Sequence, residues 1–582
     1  MVLAARRHSS PAWSRWTDGG VLTFAAAWML VERFFTRPSK PVMPQVLSET
    51  FKPNPPAFTR PLRWLVACML CVGMLPMQAN GADTLLAFAT ERHGTINAQV
   101  AFLEVPRRHD EPDGPRMRLR VVRLPASGGN GKATPVVYLA GGPGGSGVGT
   151  ARGPRWPAFD QVRRETDVLL FDQRGTGLSE LPPPCPYIQR FDDAKPLDRD
   201  VALAALRDTA ARCIAHWRKA GVDLAAYTTA ESAADLEDLR RALGVQRISL
   251  WGMSYGTHLA LASLRLHGTG IERVVLIGVE GPDDTLKLPL SADTLLAELA
   301  VVARDQGFED LTGVTRRVLT RLHQKPARGR SLMHRGREVT LGRYDAQLAI
   351  AAALGRRSTQ QMLPLALRDA DTGNYDLLAT MVLAVREQLG EFRAMPLAME
   401  VASGQSPHRR ATVEAQAKDS VFGDALNFPF PMIGDGLGLT DLGEAFRAPA
   451  QSDVPALLVS GTLDGRTPPA NAEALLPAFR NATYLRVRGA SHDDELWLGH
   501  PKIAADIRDF LAGRRVRDAE VDVQPPAMAQ GKLDLLLQAL GIGQEAVLVV
   551  LGVLTTLLLV AIALLHRWRR SVRIRNAVSR PS

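Results

Sequence analysis

One short stretch has the residue types and spacing needed for nucleophilic chemistry. Gly252-Met-Ser-Tyr-Gly256 follows the apolar run 248–251 and leads into a run rich in Ala and Leu. A strand that turns sharply into a helix lifts the central serine clear of a sheet, and the glycines keep Cβ atoms out of the turn. We therefore predict that Ser254 is a nucleophile and that the Tyr255 N–H points to the developing negative charge. An ordinary glycine-rich turn is the alternative.

A serine hydroxyl needs a histidine to accept its proton and a carboxylate to hold that histidine. Asp464 follows the apolar run 456–460, and His492 follows the run 483–487. Taken singly, the aspartate fits an Asx turn and the histidine fits a surface loop. His258, one helical turn after the serine, is a rival base. The order of serine, acid and histidine, each after a predicted strand, predicts a catalytic triad.

An α/β fold is expected to position these groups. Strands alternate with helices through 83–282 and again through 453–515, which predicts a mostly parallel sheet with helices on both faces. Residues 283–452 are mostly helical in pattern and predict an inserted helical cap. Such a cap would cover the carboxyl ends of the strands, where open α/β sheets bind ligands.

The loops after two predicted strands are also rich in glycine. Residues 140–147 lack the patterns of phosphate-binding loops, and a loop that brings backbone N–H groups to a reacting oxygen fits better. Asp172 and Arg174 are predicted to form a charged pair that holds a glycine turn. The scattered histidines form no metal-ligand cluster, and we expect neither a metal nor another cofactor.

Both ends of the chain suggest a membrane. Residues 546–565 form an uncharged apolar run that, at about 1.5 Å per residue, can cross a hydrocarbon core of about 30 Å as a transmembrane helix. The arginine-rich tail 566–582 predicts a cytoplasmic end that contacts membrane lipid. Residues 1–82 are interpreted as a leader with a signal peptide, with either an unusual length or an over-extended start. Residues 516–545 are interpreted as a linker, and the catalytic domain is expected to be periplasmic or on the outer face of the cytoplasmic membrane.

The net charge of the chain bears on the partners that it can bind, and its cysteines bear on the redox state of its compartment. The formal net charge is +10, but much of the excess lies at the termini, so we do not expect nucleic acid as a partner. Cys68 and Cys71 fall within the predicted leader. In an oxidising compartment, Cys185 and Cys213 can form a disulfide, and two buried thiols are the alternative.

Five motifs together resemble one branch of enzymes. They are similar to the proline iminopeptidases and tripeptidyl aminopeptidases of the α/β-hydrolases, peptidase family S33, over about residues 95–511. The resemblance implies a triad of Ser254, Asp464 and His492 and an oxyanion hole formed by the N–H groups of Gly142 and Tyr255. The motifs are Gly141-Gly-Pro-Gly144, Asp172-Gln-Arg-Gly-Thr-Gly-Leu-Ser179, Gly252-Met-Ser-Tyr-Gly-Thr257, Gly461-Thr-Leu-Asp464 and Gly489-Ala-Ser-His492.

The resemblance also implies an activity and a substrate. These enzymes release N-terminal residues from peptides, and carboxylates near the cap bind the free amine of the substrate. Glu280 is the candidate for that role, with Asp283 and Asp284 nearby, although a solvated loop is an alternative for each. Ala140 departs from the histidine that often precedes the glycine-rich motif. We expect an aminopeptidase, with a carboxylesterase or lipase acting on a small ester as the first alternative and a non-catalytic, membrane-tethered binding module as the second.

Overall fold

The computed structural model describes residues 84–91, 93–128, 133–449 and 451–539. The predicted leader 1–82, the predicted membrane span 546–565 and the basic tail 566–582 lie outside the described residues. Within the described ranges, every helix is either too short or too polar to cross a membrane.

A ten-stranded sheet forms the centre of the molecule, in the order β1-β2-β3-β5-β4-β6-β7-β10-β11-β12. The pairs from β1 to β5 are antiparallel, and the pairs from β5 to β12 are parallel. The central strands are apolar because both of their faces are buried. The strands are β1 Thr84–Ala89, β2 Thr95–Pro106, β3 Arg116–Leu124, β4 Val136–Leu139, β5 Val168–Phe171, β6 Ile248–Ser254, β7 Ile271–Val279, β10 Ala456–Gly461, β11 Ala482–Arg488 and β12 Ala519–Asp522.

Helices cover both faces of this sheet, as the alternation of strands and helices predicts. Buried side chains of the helices at 199–219, 229–242 and 255–267 share one core cluster. Those of the helices at 156–163 and 501–511 share another. The helices are α1 Gly147–Arg152, α2 Trp156–Arg163, α3 Arg199–Lys219, α4 Thr229–Ala242, α5 Tyr255–His267, α14 Pro469–Leu475, α15 Glu495–Leu498, α16 Pro501–Leu511 and α17 Lys532–Ala539, with 3₁₀ turns at Leu224–Ala226, Gly268–Gly270 and Leu476–Ala478.

A mainly helical insertion lies between β7 and β10 and has a hydrophobic core of its own. It also contains a small antiparallel hairpin that the sequence analysis did not predict, since its strands are short and polar. The insertion consists of α6 Pro289–Asp305, α7 Leu311–Gln324, β8 Ala327–Arg330, β9 Glu338–Leu341, α8 Arg343–Ala353, α9 Arg357–Asp371, α10 Asp376–Leu389, α11 Ala394–Ser403, α12 Pro407–Asp419 and α13 Glu444–Arg447.

The described part of the predicted linker 516–545 is instead packed on the domain. β12 adds a parallel strand beside β11. Met528 and Ala529 are buried in the core of the cap, and the Ala529 N–H donates to the carbonyl of Gln361 on α9 at 2.9 Å. The apolar residues here are too widely spaced for the sequence alone to predict this burial.

The charged pair predicted between Asp172 and Arg174 is not formed. Arg174 is fully buried and instead pairs with Asp235 on α4, with Nε 2.7 Å from Oδ2. The Asp172 carboxylate accepts hydrogen bonds from the Ser146 hydroxyl and the Leu178 N–H, each at 2.8 Å. Each residue therefore holds a different loop beneath the carboxyl edge of the sheet.

A disulfide joins Cys185 to Cys213 on α3, with the two Cα atoms 5.3 Å apart. The loop that contains Cys185 continues to Gln189, whose N–H donates to the carbonyl of Gly390 at 2.9 Å. The disulfide-linked loop therefore also attaches the cap, immediately before α11.

Candidate active site

The backbone at Ser254 is strained, with φ 56° and ψ −127° between β6 and α5. A positive φ is costly for a residue with a Cβ atom. The neighbouring glycines permit it, since a Cβ at Gly252 would lie 2.5 Å from the Gly256 carbonyl oxygen, and one at Gly256 would lie 2.1 Å from the Leu139 oxygen. Strand and helix therefore pack too closely for any other residue, and the serine is held at the turn.

Asp464 and His492 lie together at the same edge of the sheet. Asp464 Oδ2 is 2.7 Å from His492 Nδ1. The N–H groups of Arg466 and Thr467 each donate to Oδ1 at 2.8 Å, and the Thr467 hydroxyl donates to Oδ2 at 2.8 Å. Burial raises the pKa of Asp464, but the facing imidazole and the Thr467 hydrogen bonds outweigh it, so the pKa falls below its usual value. The acid is therefore ionised at neutral pH and can orient the imidazole.

Gly278 places the imidazole beside the nucleophile strand. A Cβ at this glycine would lie 3.0 Å from His492 Cε1, so the ring rests directly on the β7 backbone. Gly278 precedes Val279, which pairs with Ser254 across the two strands. Asp464 and His492 are thus joined by a hydrogen bond, and the imidazole lies against β7, the strand that pairs with the strand of Ser254.

The glycine-rich loop after β4 touches the nucleophile. A Cβ at Gly141 would lie 2.9 Å from Ser254 Cβ. Gly142 has φ +127°, a conformation that favours glycine, and Gly145 N–H donates to the Gly141 carbonyl at 3.0 Å to close the turn. The loop that contains Gly142 therefore lies against the serine, and α5, whose first residue is Tyr255, begins directly after it. Ala140, where the resembled enzymes often have histidine, is buried.

His258, the rival base, is used for packing. It is buried, with Nδ1 3.0 Å from the Gly281 carbonyl oxygen and Nε2 3.2 Å from the Ser403 hydroxyl. Burial lowers the pKa of this imidazole, which favours the neutral ring. Both ring nitrogens are engaged away from the serine, so His258 is not placed to act as the base.

Glu280 is buried next to the site rather than solvated. Its N–H donates to the Thr257 hydroxyl at 2.8 Å, and that hydroxyl donates to the Ser254 carbonyl at 2.7 Å. Its carboxylate Oε2 lies 2.7 Å from Lys287 Nζ. The nearby Asp283 accepts two hydrogen bonds from Ser406. Asp283 is thus occupied in the cap, whereas Glu280 lies beside the turn that carries Ser254 and has Lys287 as its partner.

A second carboxylate, Glu400, was missed by the sequence analysis. It is the one charged residue in α11. Burial and the nearby Glu280 raise its pKa to about 7, against an opposing effect of Lys287. Burial raises the pKa of Tyr255, and the two glutamates add to that rise. Glu400 is therefore within electrostatic reach of both Glu280 and Tyr255. A lone acidic residue in an apolar cap helix was the only sequence signal of it.

In the described ranges of the chain, no group of three or more His, Cys, Asp or Glu residues is arranged to hold a metal ion. The chemistry available at this edge of the sheet is that of the Ser254, His492 and Asp464 side chains and the backbone N–H groups around them.

The alpha/beta hydrolase fold family matches residues 134–497, more than half of the sequence. The chain belongs to the α/β-hydrolase family. It is 30% identical over 201 residues to a tripeptidyl aminopeptidase of Streptomyces lividans, covering 32% of this chain and 36% of that protein. It is 29% identical over 220 residues to the serine protease Hip1 of Mycobacterium tuberculosis, covering 36% and 39%. It is 30% identical over 192 residues to a probable proline iminopeptidase of Streptomyces coelicolor, covering 30% and 46%.

The resemblance predicted from the motifs is therefore confirmed. The matched part of this chain spans only about a third of the length of the tripeptidyl aminopeptidase. The chain is therefore similar to serine peptidases. The reaction that it catalyses has to be inferred from the site described above.

Replacing Asp464 with asparagine should preserve the loop but impair the histidine. An amide cannot stabilise the protonated imidazole and favours the wrong tautomer, so we expect kcat to fall by about 10⁴-fold. The measurement is kcat on any substrate whose turnover requires Ser254. Asp453→Asn, at an exposed aspartate paired with Arg480, is the control and should leave kcat unchanged. A kcat for Asp464→Asn close to that of the unmodified chain would contradict this assignment.

Proposed function

We propose that this protein is a serine aminopeptidase that releases N-terminal residues from peptides. The observation that carries the proposal is the pair of carboxylates, Glu280 and Glu400, beside the nucleophile. Lys287 supplies one positive charge to this pair of carboxylates, through Glu280, and a peptide ammonium beside Glu400 would supply a second. An ester with no amine would gain nothing from these groups.

The reaction would proceed through an acyl-enzyme. Ser254 Oγ attacks the scissile carbonyl carbon while His492 takes its proton, and ionised Asp464 stabilises the imidazolium that forms. The carbonyl oxygen becomes an oxyanion that accepts hydrogen bonds from the N–H groups of Gly142 and Tyr255. The imidazolium then protonates the leaving amine, and water, activated by the same histidine, attacks the acyl carbon to release the N-terminal fragment.

Two other functions are compatible with parts of the site. A carboxylesterase or lipase would use the same triad. An ester substrate favours an apolar pocket, however, whereas the site proposed here includes two carboxylates. A membrane-tethered binding module would not require a strained serine together with an ordered Asp464–His492 pair. Both remain as outcomes of the first experiment.

The first experiment compares peptide and ester substrates on the full chain. We expect hydrolysis of fluorogenic aminoacyl and tripeptidyl amides with a free N-terminus, and a loss of that activity in Ser254→Ala. The matched control is the same set of amides with an acetylated N-terminus, which should be poor substrates because they carry no ammonium. Turnover of a p-nitrophenyl ester alone would identify an esterase, and no turnover that depends on Ser254 would support the binding module.

Glu400 should make substrate binding depend on pH. Because burial and Glu280 raise its pKa to about 7, the carboxylate is neutral below that pH and charged above it. For free-amine substrates, KM should therefore fall as pH rises through 7, until the α-amine itself deprotonates at about pH 8. Glu400→Gln should raise KM by about 10- to 100-fold, the effect of one hydrogen bond to a charged group, and should flatten this pH dependence.

The control for this test is Glu309→Gln, at an exposed glutamate of the cap that pairs with Arg317. It should leave KM and its pH dependence unchanged. If Glu400→Gln lowered kcat alone and left KM and its pH profile intact, Glu400 would not bind the substrate amine.

We also propose that residues 546–565 anchor the enzyme in a membrane, with the catalytic domain on the extracytoplasmic side. The support is the uncharged apolar run followed by the arginine-rich tail. In a bacterial host, we expect the full chain in the membrane fraction after an alkaline wash and a chain ending at residue 545 in the soluble fraction. Protease added to spheroplasts should digest the catalytic domain. Equal membrane retention of both chains, or protection of the domain, would count against this arrangement.

A further inference from the structure

The cap helix α11 lies directly over the active-site loops. On one face, Met395 Cβ is 2.8 Å from the position that a Cβ at Gly175 would occupy. One turn further along the same face, Met399 Sδ accepts a hydrogen bond from the Thr229 hydroxyl at 3.2 Å. The helix is therefore packed on the core at two points, which fixes its position over the active-site loops.

A second face of α11 borders the glycine-rich loop that touches the serine. Arg393 caps the helix, and Pro396 and Glu400 follow at spacings of three and four residues, which places all three on one side. Pro396 Cγ lies 2.9 Å, and Arg393 Nη2 3.4 Å, from the position of a Cβ at Gly144. The glycine leaves the room that these two side chains occupy.

Across the residues that the structure describes, the Arg393 guanidinium forms neither a hydrogen bond nor an ion pair. Burial by the surrounding chain lowers its pKa, and Glu391 only partly opposes this effect. The side chain remains accessible to solvent. A cation that lies against the glycine-rich loop in this way is available to bind an anionic group of a ligand.

We propose that Arg393 binds the C-terminal carboxylate of a short peptide substrate, while Glu400, with Glu280, binds its ammonium. This inference rests on the aminopeptidase function proposed above. The two charged residues lie seven positions apart on one helix, or about 10 Å at 1.5 Å per residue. An extended peptide covers about 3.3 Å per residue, so that separation corresponds to three or four residues.

Arginine suits this role because its planar guanidinium can donate two parallel hydrogen bonds to one carboxylate. In the acyl-transfer step, the bond between the scissile carbonyl and the amide nitrogen breaks, and the carboxylate leaves with the amine fragment. Arg393 would thus bind the leaving fragment and Glu400 the acyl fragment. Substrates would be selected by the presence of both charged ends at this separation.

The test uses two peptides on the full chain, tetra-alanine with a free carboxylate and tetra-alanine amide, with products measured by mass spectrometry. The unmodified enzyme should prefer the free carboxylate in kcat/KM by about tenfold or more, as expected for one charged hydrogen-bonded pair. Arg393→Gln should remove this preference through a higher KM for the acid, with the amide unaffected. Arg393→Lys, which keeps the charge, should retain part of the preference.

Arg304→Gln is the matched control, since Arg304 is also an exposed cap arginine but lies at the far end of α6, near the segment after β12. It should keep the preference intact. Equal kcat/KM values for the acid and the amide in the unmodified enzyme, or an equal loss on both peptides in Arg393→Gln, would overturn the proposal. A failure of the proposed function is distinguishable, because then neither peptide would be hydrolysed, whatever the turnover of an ester.

Discussion

The close contact between β6 and α5 is the constraint on which the site depends. Gly252 and Gly256 let strand and helix approach until a Cβ on either residue would overlap backbone atoms. That contact forces Ser254 into a positive φ, which a serine does not adopt by itself. The energetic cost of this backbone strain is offset by the packing of the buried central strands, which leave no room for a relaxed turn. The strain therefore fixes where the nucleophile points before any substrate arrives.

The elements with a local signal could be predicted from the sequence. The elbow, the strands before Asp464 and His492, and the helical insertion each follow from residue patterns within a few positions. The relation between Asp464 and His492 followed from topology, because the carboxyl ends of neighbouring parallel strands meet at one edge. The pairing of Cys185 with Cys213 was left open, since spacing alone does not reveal whether two Cα atoms come within reach.

Other features depended on contacts between distant parts of the chain. Arg174 lies two residues after Asp172 in the sequence, but its actual partner is Asp235, which lies 61 residues further on. Glu400 was missed because its significance comes from Glu280, which lies on a different element of the fold. Buried Gln360 donates to the carbonyls of Leu354 and Leu463 and so ties the cap to the turn that bears Asp464. No local pattern specifies such pairs, since each is selected by the burial that tertiary packing creates.

The segment after β12 gives the molecule an asymmetry in how it would bear a mechanical load. This segment leaves the sheet, crosses to the cap and is pinned there by Ala529 and by the carbonyl of Gln530, which accepts from Arg368 on α9 at 3.1 Å. The side chain of Leu535 also packs against the core of the cap. Tension applied beyond residue 539 would therefore reach the cap before it reached the strands. Any tether on that side would pull first on the cap and, through Gln360 on α9, on the turn that carries Asp464.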